Sequence, residues 1–356
     1  MTNEVTELAQ RLNASWPNIV GARAAAKEKL ADFSLALRDL WSPDAAIVFY
    51  GSAARLEWTV GSDVDWTLLV DGPALPDRMR AVRDIRQQLN ERAKEPTPGG
   101  AFGSMSFSHE LVHRIGGDAD TNRITTQRVL LLLESVAIAD PEARLGNQQL
   151  VHERVIRAIL NSYLEESDGK WRHGVPRFLL NDVVRYWRTI AVDSAAKARE
   201  QGDNKWAIRR LKLRTSRKLI FAAGLVMALE RFGAEGDWSR DELLDSLTKM
   251  ARETPLDIVA GVAIRDTAME PYARAVFDAY DAFLQLLNDP DKRGRLDKIP
   301  RAEADTDAVF QESREVGRAL ALPSNASSST VAIPRPSEAT GCFDDLRILN
   351  GRARQG

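Results

Sequence analysis

The chain has 356 residues, 44% of them hydrophobic, and a formal net charge of −2, so it is long enough for two domains with their own cores and lacks the global charge that would draw it to nucleic acid or a membrane. Its single cysteine, Cys342, rules out a disulfide framework and a cysteine-based zinc site, as expected of a protein in a reducing cytoplasm. The first residues carry an acid early and no long apolar run, so no signal peptide is expected, and no stretch approaches the roughly 18 apolar residues of a membrane span.

Taken in chain order, residues 20–41 are Ala-rich with an apolar stripe through Ala31, Leu35, Leu37 and Leu40, which predicts a helix. Residues 45–50 are an apolar run that stops at Gly51-Ser52, a first strand. A short connector follows, with a helix at 53–57 that Ser52 is expected to cap. The second strand, 63–70, opens on Asp63-Val64-Asp65-Trp66. Alternate residues of a strand share a face, so Asp63 and Asp65 aim side by side while Val64 and Trp66 point the other way. Two carboxylates that close raise each other's pKa unless a cation lies between them, and oxygen ligands of this kind, with substrate phosphates, are what Mg²⁺ takes. The alternative is an edge strand with two solvated acids.

Met79, Val82, Ile85 and Leu89 predict a helix over 76–94, and residues 95–100 a loop. Residues 101–112 alternate polar and apolar and predict a third strand with Ser106, Ser108 and Glu110 on its polar face, where Glu110 taken by itself reads as a solvated or structural glutamate. His109 and His113 are expected to be ordinary core or surface histidines. A helix capped near Thr121 is expected to run to about Ala139. From there the chain reads as helical, at about 148–165, 176–200, 205–232, 239–252, 255–264 and 267–288. Residues 288–295 read as a polar break, 305–320 as one more helix, and 322–356 as a low-complexity tail. The aromatics Trp58, Trp66, Trp171, Tyr186, Trp187 and Trp206 are expected to be core.

The spacing of strand, Gly51-Ser52, connector and Asp63-Val64-Asp65 resembles the signature of the DNA polymerase β-like nucleotidyltransferases. Residues 128–141, Arg128 through the apolar run to Asp140-Pro141, look like the helix that follows the catalytic strands in the N-terminal module of PII-uridylyltransferases. The related bacterial nucleotidyltransferases, including the cyclic-oligonucleotide synthases of antiphage systems, share this core. The absence of a metal-dependent phosphohydrolase motif and of room for a regulatory region argues against a bifunctional uridylyltransferase. The resemblance implies an α+β fold: a small mixed sheet in a catalytic domain with N-terminal helices at 1–145, an all-helical domain at 146–290 closing the nucleotide cleft, and a helix plus tail at 291–356. It implies an enzyme that moves an NMP from an NTP, ATP among the candidates, to an acceptor with release of pyrophosphate. Asp63 and Asp65 would hold two Mg²⁺ ions, or Mn²⁺ in their place, with Glu110 completing the catalytic set. Gly51 and Ser52 would lie against the terminal phosphates.

Residues 205–218 carry seven bases and no acid. On one helix, Lys205, Arg209, Lys212 and Ser216 share a face, and Arg210, Arg214 and Arg217 form a second ridge. The resemblance implies that second-domain bases reach the β- and γ-phosphates, and Lys212, with Ser216 and Arg185 in support, is the expected contact. Two alternatives remain: a solvated basic face with pairs to Asp182, Asp193 or Glu200, and a phosphate-backbone surface for RNA or DNA. The expected partner is an NTP, with an acceptor that is a protein, a nucleotide or a small molecule. Stable nucleic-acid binding is the less favoured reading, and no membrane partner is expected. The rival functions are a cyclic or linear oligonucleotide second-messenger synthase and a catalytically weak nucleotide-binding module.

Overall fold

The computed structural model describes residues 4–40, 42–94, 96, 101–138, 147–165, 175–200, 204–230 and 238–320. The 95–100 loop, Cys342, Trp171, the domain boundary at 145/146 and the 322–356 tail, all read from the sequence, lie wholly or largely outside those residues. The described residues belong to one compact unit ending at Leu320.

Two helices open it, α1 (Glu4–Arg11) and α2 (Pro17–Leu37). Strand β1 (Ala45–Tyr50) coincides with the expected first strand, because six consecutive apolar residues suit a central strand buried on both faces. After the single turn α3 (Gly51–Ala54), strand β2 (Asp65–Val70) pairs antiparallel with β1, Tyr50 opposite Asp65. Helix α4 (Asp77–Asn90) crosses over to β3 (Ser104–Phe107), which pairs parallel with β2.

Here the sequence reading is corrected. The third strand ends at Phe107, and residues Ser108–His113 form helix α5, so Glu110 lies on a helix. Helix α6 (Asn122–Leu133) is capped by Thr121, whose hydroxyl accepts from the Ile124 amide, as expected, but it ends six residues early. A strand that the reading missed, β4 (Ser135–Ala137), then pairs antiparallel with β1, giving the order β3-β2-β1-β4. The apolar run Val129–Leu133 is equally compatible with a longer helix, so the sequence does not locate the break.

The remaining helices are α7 (Asn147–Glu165), α8 (Arg177–Glu200), α9 (Trp206–Arg214), α10 (Ser216–Ala228), α11 (Arg240–Met250), α12 (Pro255–Arg265), α13 (Glu270–Asn288), α14 (Pro290–Lys298) and α15 (Ala308–Ala319). Two of these differ from expectation. The helix read over 205–232 breaks at Thr215, with φ −115° and ψ −96°. The polar break at 288–295 is largely helical: Asp289 caps α14 by accepting from the Asp291 and Lys292 amides, and Pro290 occupies its first turn. Among the described residues, no helix is long and apolar enough to cross a membrane.

The fold is mixed α+β, with many helices around a four-stranded sheet. One face of the sheet, with Val48, Tyr50 and Leu69, packs on α6, α7, α8 and α10; the other, with Phe49, Trp66 and Leu68, packs on Phe33 and Leu37 of α2 and on α4. A third core joins α1 and the start of α2 to α9 and α12–α15. There Trp16 stacks on Phe277 at 4.7 Å, and Asp281 of α13 accepts from the Asn18 and Ile19 amides, capping the start of α2. The two ends of the described chain therefore share one core, and α2 spans from it to the sheet.

Candidate active site

The β1–β2 connection brings backbone and carboxylate together. Gly51 has φ +65°, and a Cβ built there would lie 2.9 Å from Asp65 Oδ2. Glycine is required both for the left-handed backbone and for the space. Ser52 does not cap the turn, which begins one residue earlier, and no side chain caps α3. A helix of one turn has little dipole, so what Gly51 and Ser52 contribute is close backbone approach.

Asp63 lies before β2, in a parallel bridge to Lys94, and Val64 donates its amide to the Lys94 carbonyl at 3.0 Å. Val64 is fully buried in the sheet core, which fixes its two neighbours on the opposite side. Among the described residues, no ion pair engages Asp63 or Asp65. Burial, then the negative charge of Asp63, push the Asp65 carboxyl up to about 7.

Cations approach from three helices. Lys212 of α9 is pushed down to about 8 by burial, against the attraction of Asp63 and with the opposing charges of Arg293, Arg217 and Arg55. Arg217 of α10 lies in the field of Asp65 and places Nη1 3.2 Å from Glu134 Oε1. Arg293 of α14 lies in the field of Asp63; its Nη2 donates to the Gly61 carbonyl at 2.5 Å and its Nη1 to Thr59 Oγ1 at 3.3 Å. A Cβ on Gly61 would sit 2.3 Å from Arg293 Nε, so the guanidinium rests on bare backbone.

Behind the aspartates runs a buried polar chain. Tyr280 of α13 donates to Glu57 Oε1 at 2.7 Å, and Arg55 Nε bonds Glu57 Oε2 at 2.8 Å. Arg55 Nη1 pairs with Glu134, whose side chain is 1% exposed and which closes α6. Burial opposes the charge on Arg55, but Glu57 and Glu134 outweigh it and hold the guanidinium above its usual range.

The expected residues separate accordingly. Gly51, Ser52, Asp63, Asp65 and Lys212 come together. Glu110 does not: its side chain is 41% exposed on α5 and pairs with Arg114 at 3.3 Å. Arg185 does not: its guanidinium bonds Asn122 Oδ1 at 2.9 Å and the side chain and carbonyl of Asp120, which also pairs with the fully buried Arg128. Ser216 is buried, and its hydroxyl bonds the Lys212 carbonyl at 3.4 Å. Its distance from Lys212 along the chain spans the Thr215 break, so the shared helix face assumed for the two does not exist. His109 and His113 are exposed and stand beside each other on α5, ring centroids 5.1 Å apart. Of the aromatics, Trp66 and Tyr186 are buried as expected.

Sequence reasoning missed three members. Glu134 ends an apolar run, a position where an acid is buried at a cost unless paired. Arg217 falls on the second basic ridge, from which no phosphate contact was singled out, and Arg293 in the expected polar break.

Residues 30–97, from the middle of α2 past α4, match the family model described as Nucleotidyltransferase domain. This segment is a nucleotidyltransferase domain of the polymerase β-like superfamily. It contains Gly51, Ser52, Asp63 and Asp65; Glu134, Lys212, Arg217 and Arg293 lie beyond it. Neither the curated proteins nor the solved structures give a match to this chain. Nucleotidyltransferase domains commonly use divalent metals, and the donor set here suits one: two neighbouring carboxylates without an ion-pair partner, one of them raised by the other. Among the described residues, no group of three His, Cys, Asp or Glu is arranged to hold a metal. Glu134 is near enough to raise the Asp65 carboxyl, but its oxygens are engaged by Arg55 and Arg217.

Proposed function

We propose that this protein is a Mg²⁺-dependent cytoplasmic enzyme that transfers an NMP from an NTP, ATP among the candidates, to an acceptor and releases pyrophosphate. One observation carries the reading: Asp63 and Asp65 stand as an unpaired carboxylate pair, faced by Lys212, Arg217 and Arg293. Asp63 and Asp65 would hold the metal, whose remaining sites go to phosphate oxygens and water. When bound, the ion supplies charge neutralisation and activates the attacking oxygen.

The protein's own contribution is placement. Gly51 and Ser52 let the backbone approach the terminal phosphates. Lys212 and Arg217 balance the negative charge that grows on the leaving pyrophosphate. Glu134 holds Arg217 from behind. The sheet domain and the helices beyond residue 146 would form the two walls of the nucleotide cleft.

Among the described residues the acid nearest the pair, Glu134, is engaged by Arg55 and Arg217, which favours a second reading, a nucleotide-binding module with weak catalysis. Incubation with each α-labelled NTP, Mg²⁺ or Mn²⁺ and cell lysate separates the possibilities. Label on protein, RNA or a small molecule identifies the acceptor, and a cyclic or linear oligonucleotide would assign a second-messenger synthase. Label nowhere, with nucleotide bound, would leave the binding module.

A further inference from the structure

The site leaves Arg210 and Arg214 of the 205–218 segment unused. Arg210 and Arg214 lie four residues apart on α9, and Arg314 and Arg318 four apart on α15, so each pair is adjacent along its helix, with Cβ atoms about 5–6 Å apart. The two helices pack together, and Gly317 is where they meet: a Cβ there would lie 3.4 Å from both Cβ and Cδ of Arg214. Arg210 and Arg318 are exposed and Arg214 is half-buried. Burial, then the charges of Arg210, Arg314 and Arg318, hold Arg214 below the usual guanidinium range.

Like charges four apart on a helix destabilise it, and here two such pairs face each other. Counter-ions are scarce. Arg314 pairs with Asp305 at 2.9 Å, but among the described residues no ion pair engages Arg210, Arg214 or Arg318, and the exposed Glu315 on α15 pairs with none of them. Lys218 adds a fifth positive charge beside Arg214, its Nζ donating to the Leu320 carbonyl at 3.0 Å. The chain as a whole is slightly acidic, so this concentration is local.

We propose that the outer face of α9 and α15 grips a nucleic-acid strand, with the Arg210, Arg214, Arg314 and Arg318 guanidiniums on successive backbone phosphates. A two-by-two cluster of cations on two packed helices suits a ligand whose charge repeats along its length, and guanidiniums bind phosphates with paired hydrogen bonds. Helix α9 then serves two ligands from different faces, with Lys212 toward Asp63 and Arg210 and Arg214 on the strand. The strand site stands on the array and does not rest on the nucleotidyl-transfer reading.

The test is fluorescence anisotropy of the full chain with a labelled single-stranded RNA of about 20 nucleotides, and its DNA counterpart, across a salt series. About four phosphate contacts predict a slope of log affinity against log salt near −3. The R210A/R214A/R318A variant is expected to lose about tenfold or more and to flatten that slope by about 2, while R210K/R214K/R318K keeps most of it. Asp65→Asn is expected to bind like the parent, so failure of the catalytic reading would leave this result standing. The proposal is overturned if the full chain shows no salt-dependent strand binding or if the triple alanine variant binds unchanged. It is also overturned if phosphatidylserine vesicles, and not the strand, are what the array retains.

Discussion

Arg293 reaches the Gly61 carbonyl at 2.5 Å across 232 residues of sequence. Through this contact a helix near the end of the described chain sets the loop that carries Asp63. The neighbouring bond from the Val60 amide to Asn288 Oδ1, 3.3 Å, fastens the same loop to the end of α13. The nucleotidyltransferase domain is thus held in shape by elements outside its own segment.

Gly61→Ala is therefore expected to destabilise the protein by about 1–3 kcal/mol, since the new methyl group meets a seated guanidinium. Arg293→Ala removes the seat and is expected to relieve that clash in the double variant. Thermal melts of the two single variants and the double variant check the coupling; additive losses would separate the residues.

Glu134 balances Arg55 and Arg217 in a buried setting. Glu134→Gln leaves Arg217 without its acid and Arg55 with Glu57 alone, and is expected to cost about 3–5 kcal/mol by chemical denaturation. Tyr280→Phe only removes the donor to Glu57 and is expected to cost about 1–2 kcal/mol.

The pH dependence follows from Asp65. Its folded-state value of about 7 lies above the ordinary 3.8, so between roughly these two values the folded state binds more protons than the unfolded state. Stability of the metal-free protein is expected to fall as pH rises from about 4 to 7. Mg²⁺ should offset that loss at the upper end, and melts across this range with chelator or with Mg²⁺ check it. Lys212, at about 8, carries its charge at neutral pH and loses it above, so NTP affinity is expected to weaken above pH 8.

Lys212→Ala is expected to raise the KM for NTP by about tenfold or more, as loss of a charge-assisted contact of about 1.5–3 kcal/mol requires. Arg185→Ala is expected to leave KM unchanged and to lower stability instead, because its partners are Asp120 and Asn122. Steady-state kinetics beside melts separate the two roles.

The parts legible in the sequence were those set by local pattern. Ala45–Tyr50, apolar throughout, could only be a buried strand, and Val64 between two aspartates fixed their common side. Most helices followed from apolar spacing. What was hidden depended on tertiary context. The alternation of Met105 and Phe107 with Ser106 and Ser108 carries on to Glu110, yet the chain coils into a helix from Ser108, which removed Glu110 from the site. Thr215 looks like any helical threonine, and the break there turned Arg217 inward while Arg210 and Arg214 stayed outside. Arg293 sits in a stretch polar enough to read as a loop, although Asp289-Pro290 is itself a helix-start signal.

The central claim is that Asp63 and Asp65 hold the metal for nucleotidyl transfer. Release of pyrophosphate from each NTP, with Mg²⁺ and the acceptor fraction, measures it in the parent and in Asp65→Asn. The account predicts turnover in the parent that chelation abolishes and that falls by more than about 100-fold in the variant, since even residues supporting a metal ligand cost 10–100-fold. Turnover that survives Asp65→Asn, or its absence with every NTP, would contradict it.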